Sequence, residues 1–304
     1  MSIDVRPSGA RSMEFRRRLM TAAFLTLLLL GVVWPSPIVA TNRLCCDAPL
    51  GIDELSFLGR EAPAWDVAYW FLTGLLLLII LQSSEWSWAD IRVVAQLVRS
   101  IRPRVDIRVV IAALIGAALT AAAWRFADAP VTAFAEVIKS ETVEDVIRLV
   151  NRFGGGMNPA MIALYFLVAG VVFRRRRWVA YAITMAIAGL AAGLLAQAIK
   201  VVVGRSRPEL WLGPFHHAHT SASSFPSGHT VGAFALAGTL LFLSPSWWAR
   251  WLAIALAAAV AVSRILAFRH WLSDVLASTV IGLLAAFVVA RGVSSVTVEP
   301  DQPT

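Results

Sequence analysis

Long apolar runs separated by short charged islands dominate the chain. Stretches with few or no charges cover residues 19–33, 67–81, 109–124, 157–173, 178–203, 230–243, 247–267 and 275–290. Each approaches the roughly 20 residues that an α-helix needs to cross a hydrocarbon core. Arg108, Arg125, Arg250 and Arg291 at their ends can snorkel to the interface. The pattern therefore predicts eight membrane helices. Two longer connections have helical character of their own. Residues 86–104 place Ile91, Val94, Ala95, Val98 and Ile101 at near-helical spacing among Arg and Trp, as in a helix lying on a membrane surface. Residues 131–153 suit a second such helix, ending at Gly154-Gly155-Gly156, a run that lacks the Lys-Ser/Thr of a phosphate loop.

Composition agrees with the pattern: 58% of the 304 residues are apolar and only 15% are charged, against about 25% charged in an ordinary soluble domain. Mean hydropathy is +0.71. The net charge of +8 raises nucleic acid or an anionic membrane as partner, and the hydropathy selects the membrane and excludes nucleic acid. Cys45 and Cys46 are adjacent, which excludes a loop-closing disulfide framework and a CxxC motif and leaves two inert thiols or a strained vicinal bridge.

The distribution of positive charge predicts an orientation. Arg6, Arg11, Arg16, Arg17 and Arg18 precede the first segment, Arg92, Arg99, Arg102, Arg104 and Arg108 separate the second from the third, and Arg174 to Arg177 separate the fourth from the fifth. These ends are expected to be cytoplasmic, as are both termini. The acid-rich connections 41–66 and 128–156 are expected outside. Strict alternation then puts 204–229 and 264–274 outside too, although both are basic, so their charge needs another explanation. The first segment also reads as a signal peptide ending at Ile38-Val39-Ala40, which would leave the sides of the later loops unchanged.

Three islands hold that charge. The first runs from Lys200 through Gly204, Arg205, Ser206 and Arg207 to Pro208; interfacial snorkelling would explain it in isolation. The second is Pro226-Ser227-Gly228-His229, immediately before an apolar helix. There Ser227 can cap the helix, and the free N–H groups, the hydroxyl and the positive dipole end can equally hold an anion beside an imidazole. The third contains Ser263, Arg264, Arg269, His270, Ser273 and Asp274. A helix beginning near Arg269 would put His270 and Asp274 on one face, the carboxylate accepting the Nδ1–H and leaving Nε2 as a directed nucleophile.

Together these islands resemble the signature of the type 2 phosphatidic acid phosphatase superfamily, relatives of the vanadium haloperoxidases: K-x6-R-P (Lys200 to Pro208), P-S-G-H (Pro226 to His229) and S-R-x5-H-x3-D (Ser263 to Asp274), in order and without substitution. The resemblance implies an all-α, polytopic membrane helix bundle. A six-helix phosphatase core would occupy 105–292, after an N-terminal extension over 1–104 with two membrane helices and an interfacial helix, and before a tail over 293–304. It implies a phosphate cradle of Lys200, Arg207, Arg264, Ser227 and the Gly228 N–H. His270 would be the nucleophile forming a phosphohistidine, Asp274 its orienting partner, and His229 the acid that protonates the leaving oxygen and then activates water.

No cofactor or metal is implied. His216, His217 and His219 could be read as a metal cluster, but no carboxylate or cysteine lies close by in sequence, and a headgroup contact fits better. Arg205 and Arg269 are candidates for further headgroup contacts, as a diphosphate would require. The expected function is a lipid phosphatase acting on a phosphomonoester or diphosphate at the outer face of a bacterial inner membrane. Its partners would be the bilayer and the lipid phosphate. The alternatives are a lipid phosphotransferase on the same site and a non-catalytic lipid-binding or transport protein.

Overall fold

The computed structural model describes residues 105–154, 158–172, 175–217 and 223–293, with isolated positions between 95 and 103. The first two apolar segments, Cys45 and Cys46, most of the expected interfacial helix, His219 and the tail lie outside the described residues. Among the described residues there are eight α-helices and no strand: α1 Ile107–Phe126, α2 Asp128–Val137, α3 Glu141–Gly154, α4 Asn158–Val172, α5 Arg176–Val203, α6 Gly228–Leu243, α7 Trp247–Leu266 and α8 Leu272–Val293. Helices α1, α4, α5, α6, α7 and α8 coincide with the six apolar runs after residue 105. The connection expected to hold one surface helix holds two, α2 and α3, parted at Lys139–Ser140.

Helices α1, α5, α7 and α8 are long and apolar enough to cross a membrane, while α4 and α6 contribute shorter apolar stretches. At 1.5 Å per residue the 16 residues of α6 rise about 24 Å, less than a hydrocarbon core of roughly 30 Å.

The chain separates into two compact units. One comprises 94–167 and 176–304; the other comprises 1–93 and 168–175, of which only the last turn of α4 and Arg175 are described. In the first unit, α6 is central, with α5, α7 and α8 packed on it. Small residues allow the closest approach. A Cβ on Gly282 of α8 would lie 2.7 Å from the Val231 carbonyl oxygen and 2.9 Å from the Ala235 nitrogen of α6, and one on Gly238 would lie 2.7 Å from the Ala286 Cβ. Phe234 of α6 fills the other side against Ala257 and Ala261 of α7 and Val275 of α8.

Helix directions put all three charged islands at one end. Lys200 is in the last turn of α5, Gly228 opens α6, Arg264 is in the last turn of α7 and Asp274 is in the first turn of α8. The opposite end is closed by Asp106, which caps α1 through the Arg108 and Val109 N–H groups and accepts from Arg291 in the last turn of α8.

Candidate active site

Glycine and proline free the chain for the loop after α5. Gly204 takes a left-handed φ of 58°, which ends α5 four residues past Lys200 and turns the strand-like segment 205–207 across the end of the bundle. Pro208 then opens a single 3-10 turn over Pro208–Leu210. Backbone bonds sew this segment to the other two islands. The Ser224 N–H donates to the Arg205 carbonyl at 2.6 Å, and the Glu209 N–H donates to the Phe268 carbonyl at 3.0 Å. Ser223 Oγ donates to the Lys200 carbonyl at 3.2 Å and the Trp271 indole to the Ser206 carbonyl at 2.8 Å.

Two sets of charges result. The deeper set is Asp128, Arg205 and Asp274, all with fully buried side chains. Arg205 Nη1 reaches Asp274 Oδ1 at 2.5 Å and Ser273 Oγ at 2.7 Å, its Nη2 reaches Asp128 Oδ2 at 2.5 Å, and its Nε donates to the Pro214 carbonyl at 2.9 Å. Its guanidinium lies 4.0 Å from the Trp124 ring centroid and 5.2 Å from that of Trp271. Asp128 also accepts from the Ser273 N–H at 2.8 Å and from Ser273 Oγ at 2.6 Å. One guanidinium thus bridges two carboxylates, which also accept from Ser273, Ser224 and the Trp271 N–H, and such pairing and hydrogen bonding is the condition under which buried ions are tolerated. Arg205 is therefore a member of the wall, with no group left for a headgroup, contrary to its sequence-based assignment.

The outer set is Lys200, Arg207, Arg264 and His229, all half-buried. His229 lies within electrostatic reach of Arg264, His270, Lys200 and Arg207. Three cations of the expected cradle thus act on one histidine, and Ser227 and Gly228 directly precede it. Ser227 is buried and caps α6, its Oγ accepting from the Thr230 N–H and from Thr230 Oγ1 at 3.0 Å, and its N–H donates to Ser278 Oγ at 2.7 Å. Gly228 follows it exposed, with open space around its Cα, leaving room for an anion at the helix N-terminus.

His270 stands between the two sets. Helix α8 begins only at Leu272, so His270 and Asp274 do not share a helical face, and the expected bond is replaced. Nδ1 lies 2.7 Å from the Ser224 carbonyl oxygen and 3.6 Å from Asp274 Oδ2. A carbonyl only accepts, so Nδ1 carries the proton and Nε2 the lone pair. Asp274 acts at one remove: its Oδ2 accepts from Ser224 Oγ and from the Trp271 N–H at 2.9 Å, holding both neighbours of the imidazole. Burial, opposed by the nearby Asp274 carboxylate, pushes His270 down to about 4, so it is neutral at ordinary pH.

The remaining candidates form the rim. Arg269 donates to Glu209 at 2.9 Å, and Glu209 is also 3.5 Å from Arg207. His216 Nδ1 meets Ser206 Oγ at 2.7 Å, and His217 Nδ1 meets the Val203 carbonyl at 2.7 Å, so both pin the loop to the end of α5. Asp128, Glu209 and Ser224 are site residues that the motif spacings do not single out. Glu209 was open to notice, one acid beside two arginines, whereas Ser224 acts through its backbone and Asp128 sits 77 residues from Arg205.

On the side of His229 facing the bundle lies an apolar hollow of about 520 Å³ among α4, α5 and α6. Gly228, His229 and Gly232 edge it, Leu164, Leu167, Leu190 and Leu236 line it, and Gly189 and Gly193 face open space.

Fold and site together define a multi-pass helical membrane protein with a cationic, double-histidine cluster at one end of the bundle. Residues 177–297 match the family model of the PAP2 superfamily, and the chain belongs to that superfamily. It is 32% identical over 167 residues to the bacitracin transport permease protein BcrC of Bacillus licheniformis, covering 49% of this chain and 80% of that one. It is 34% identical over 156 residues to a lipid A 1-phosphatase of Porphyromonas gingivalis, covering 47% of this chain. The match spans only 33% of that relative's own length. Among solved structures it resembles the transmembrane PAP2-type phosphatidylglycerolphosphate phosphatase of Bacillus subtilis, with a TM-score of 0.52 and 25% identity over 62% of this chain and 96% of that one.

Proposed function

We propose that this protein is a membrane lipid phosphatase that removes a phosphomonoester from a lipid held at the charged end of its helix bundle. The observation that carries the reading is His229, which lies within electrostatic reach of three cations and His270 and also lines the apolar hollow. A substrate fitting both must pair a phosphate with a hydrocarbon tail.

In the first step, His270 Nε2 attacks phosphorus, the bond from phosphorus to the lipid oxygen breaks, and His229 delivers a proton to that oxygen. Lys200, Arg207, Arg264 and the N–H groups opening α6 stabilise the charge that spreads over the phosphoryl oxygens. In the second step, His229 takes a proton from water, the hydroxide attacks phosphorus, and the P–N bond breaks to release phosphate and neutral His270. The Ser224 carbonyl and Asp274 keep the imidazole in the reactive tautomer throughout.

A monoester is favoured over a diphosphate because the two extra cations expected from the sequence are engaged, Arg205 by Asp128 and Asp274 and Arg269 by Glu209. Positive-inside alternation supports the outer face as the side of reaction. The test is phosphate release by the purified protein from a panel of lipid monophosphates and diphosphates of matched tail, with a mixing experiment that adds a lipid alcohol as acceptor. Release of phosphate from a monophosphate without any acceptor is the expected result. Turnover only when the acceptor is present makes the protein a phosphotransferase, and no turnover on any member removes the reading.

A further inference from the structure

The end of the bundle remote from the reaction holds cations that the reaction does not use. Helices α5 and α7 both begin there, and their first turns meet beside the last turn of α6. Arg177, Ala180, Tyr181, Leu243, Pro245 and Arg250 line a hollow of about 320 Å³ at this junction. Along α5, Lys200 of the catalytic cluster is about 35 Å away from Arg177 at 1.5 Å per residue, roughly the thickness of a hydrocarbon core.

The lining is one-sided in charge. Tyr181 donates its hydroxyl to the Leu243 carbonyl at 3.3 Å, and Arg250 donates Nε to the Ser244 carbonyl at 2.5 Å. These bonds satisfy the last carbonyls of α6 and fix both side chains against the cavity. They leave the terminal amino groups of Arg250 and the guanidinium of Arg177 without a carboxylate among the described residues. Two other cations outside the catalytic cluster are matched by contrast: Arg291 at this same end binds Asp106, and Lys139 binds Glu144. The N-terminal turns of α5 and α7 add the positive ends of two helix dipoles. Positive-inside bias accounts for arginines at a membrane surface, but it does not require two of them to converge on a cavity beside a buried tyrosine.

The depth of the hollow identifies what could fill it. Trp247, Trp248 and Trp251 in the first turns of α7 are exposed by 56%, 69% and 60%, and Trp178 of α5 by 38%. Exposed tryptophans grouped at one end of apolar helices mark the level of lipid headgroups. We propose that this hollow binds the phosphate headgroup of an anionic phospholipid in the leaflet opposite the catalytic cluster, with Arg177 and Arg250 on the phosphate oxygens. The proposal rests on the membrane fold and is independent of what the catalytic cluster turns over.

Native mass spectrometry of the full-length protein in detergent, titrated with phosphatidylglycerol, phosphatidylcholine or inorganic phosphate, tests it. The double variant R177Q/R250Q should lose phosphatidylglycerol affinity by tenfold or more with its lipid phosphate turnover unchanged. R177K/R250K, which keeps the charge, should recover most of the loss, and phosphatidylcholine should bind weakly to all three. The difference should persist on an R207Q background, in which binding at the catalytic cluster is weakened. Equal retention of phosphatidylglycerol by wild type and R177Q/R250Q overturns the proposal, as does a difference that vanishes on the R207Q background. Saturation by inorganic phosphate at the same concentrations overturns the lipid assignment in favour of a free-anion site. Should the double glutamine variant fail to fold, the single variants R177Q and R250Q are read by the same criteria.

Discussion

Arg205 and Arg207 are two residues apart in one loop, yet they belong to walls built on opposite principles. The inner wall, Asp128, Arg205 and Asp274, is buried and ion-paired, one guanidinium bridging two carboxylates at 2.5 Å. The outer wall, Lys200, Arg207, Arg264 and His229, is half-buried and gathers cations around a histidine. Ion pairing gives the inner wall a fixed shape, and the gathered positive charge gives the outer wall an appetite for an anion. Proximity to a motif therefore does not assign a role: Arg205 is fully buried, whereas Arg207, which an unbroken pleat would put on the same face, is half-buried at the start of the proline turn.

Changes to the outer wall and its nucleophile should cost turnover and spare the fold. His270→Ala is expected to lower kcat by on the order of 10⁴-fold or more, by analogy with the loss of other nucleophiles, with the circular dichroism melt unchanged within a few degrees. Turnover that persists would remove His270 from the chemistry. Changes to the inner wall should do the reverse. Asp128→Asn leaves Arg205 with Asp274 as its counter-charge but breaks one of two buried ion pairs and disturbs the bonds from Ser273, and breaking a buried pair costs up to about 3–5 kcal/mol. A large fall in the thermal midpoint is expected, and a variant as stable as the parent would show that the inner wall is not a structural unit. Arg207→Gln separates the two walls most directly: kcat/KM should fall about 10²–10³-fold, as for loss of one oxyanion donor, with little change in the midpoint.

Proton occupancy extends the same contrast. Burial foremost, against the nearby Asp274 carboxylate, holds His270 down to about 4. Protonation removes the nucleophilic lone pair, so the limb of the pH profile governed by His270 should fall as pH drops through about 4, well below the histidine value of 6.5. A limb near 6.5 that Asp274→Asn does not move would contradict the buried, Asp274-linked environment. The smallest expected effect is at the rim. Glu209→Gln breaks a partly exposed pair with Arg269, worth about 0–1 kcal/mol to stability, but it should free Arg269 and raise the ratio of diphosphate to monophosphate turnover in paired assays.

Much of this division is legible in the residue pattern alone. Apolar runs locate α1 and α4 to α8 to within a few residues, because a helix in lipid must satisfy its own backbone and cover itself with apolar side chains. The motif spacings locate the outer wall, since its residues sit at helix ends where the pattern changes from apolar to charged. The inner wall is not legible in this way. Asp128 lies in a helix of its own, 77 residues from Arg205, and nothing in its local spacing announces a buried partner. Sequence spacing names Asp274 as the orienting partner of His270; with α8 beginning at Leu272 its Oδ2 lies 3.6 Å from Nδ1, and a nearer acceptor stands at 2.7 Å. The acceptor is a main-chain carbonyl, invisible to residue type.

The Asp128–Arg205 contact also has an evolutionary consequence. Arg205 cannot be lost alone without stranding the charge of Asp128 in a dry interior, so an acid at the position of Asp128 should be kept only where the arginine is kept. A relative that carries an apolar residue where this chain has Arg205 should have abandoned the acid at the position of Asp128 as well. An aligned set of relatives in which the two vary independently would mean that other lineages neutralise this wall by another route.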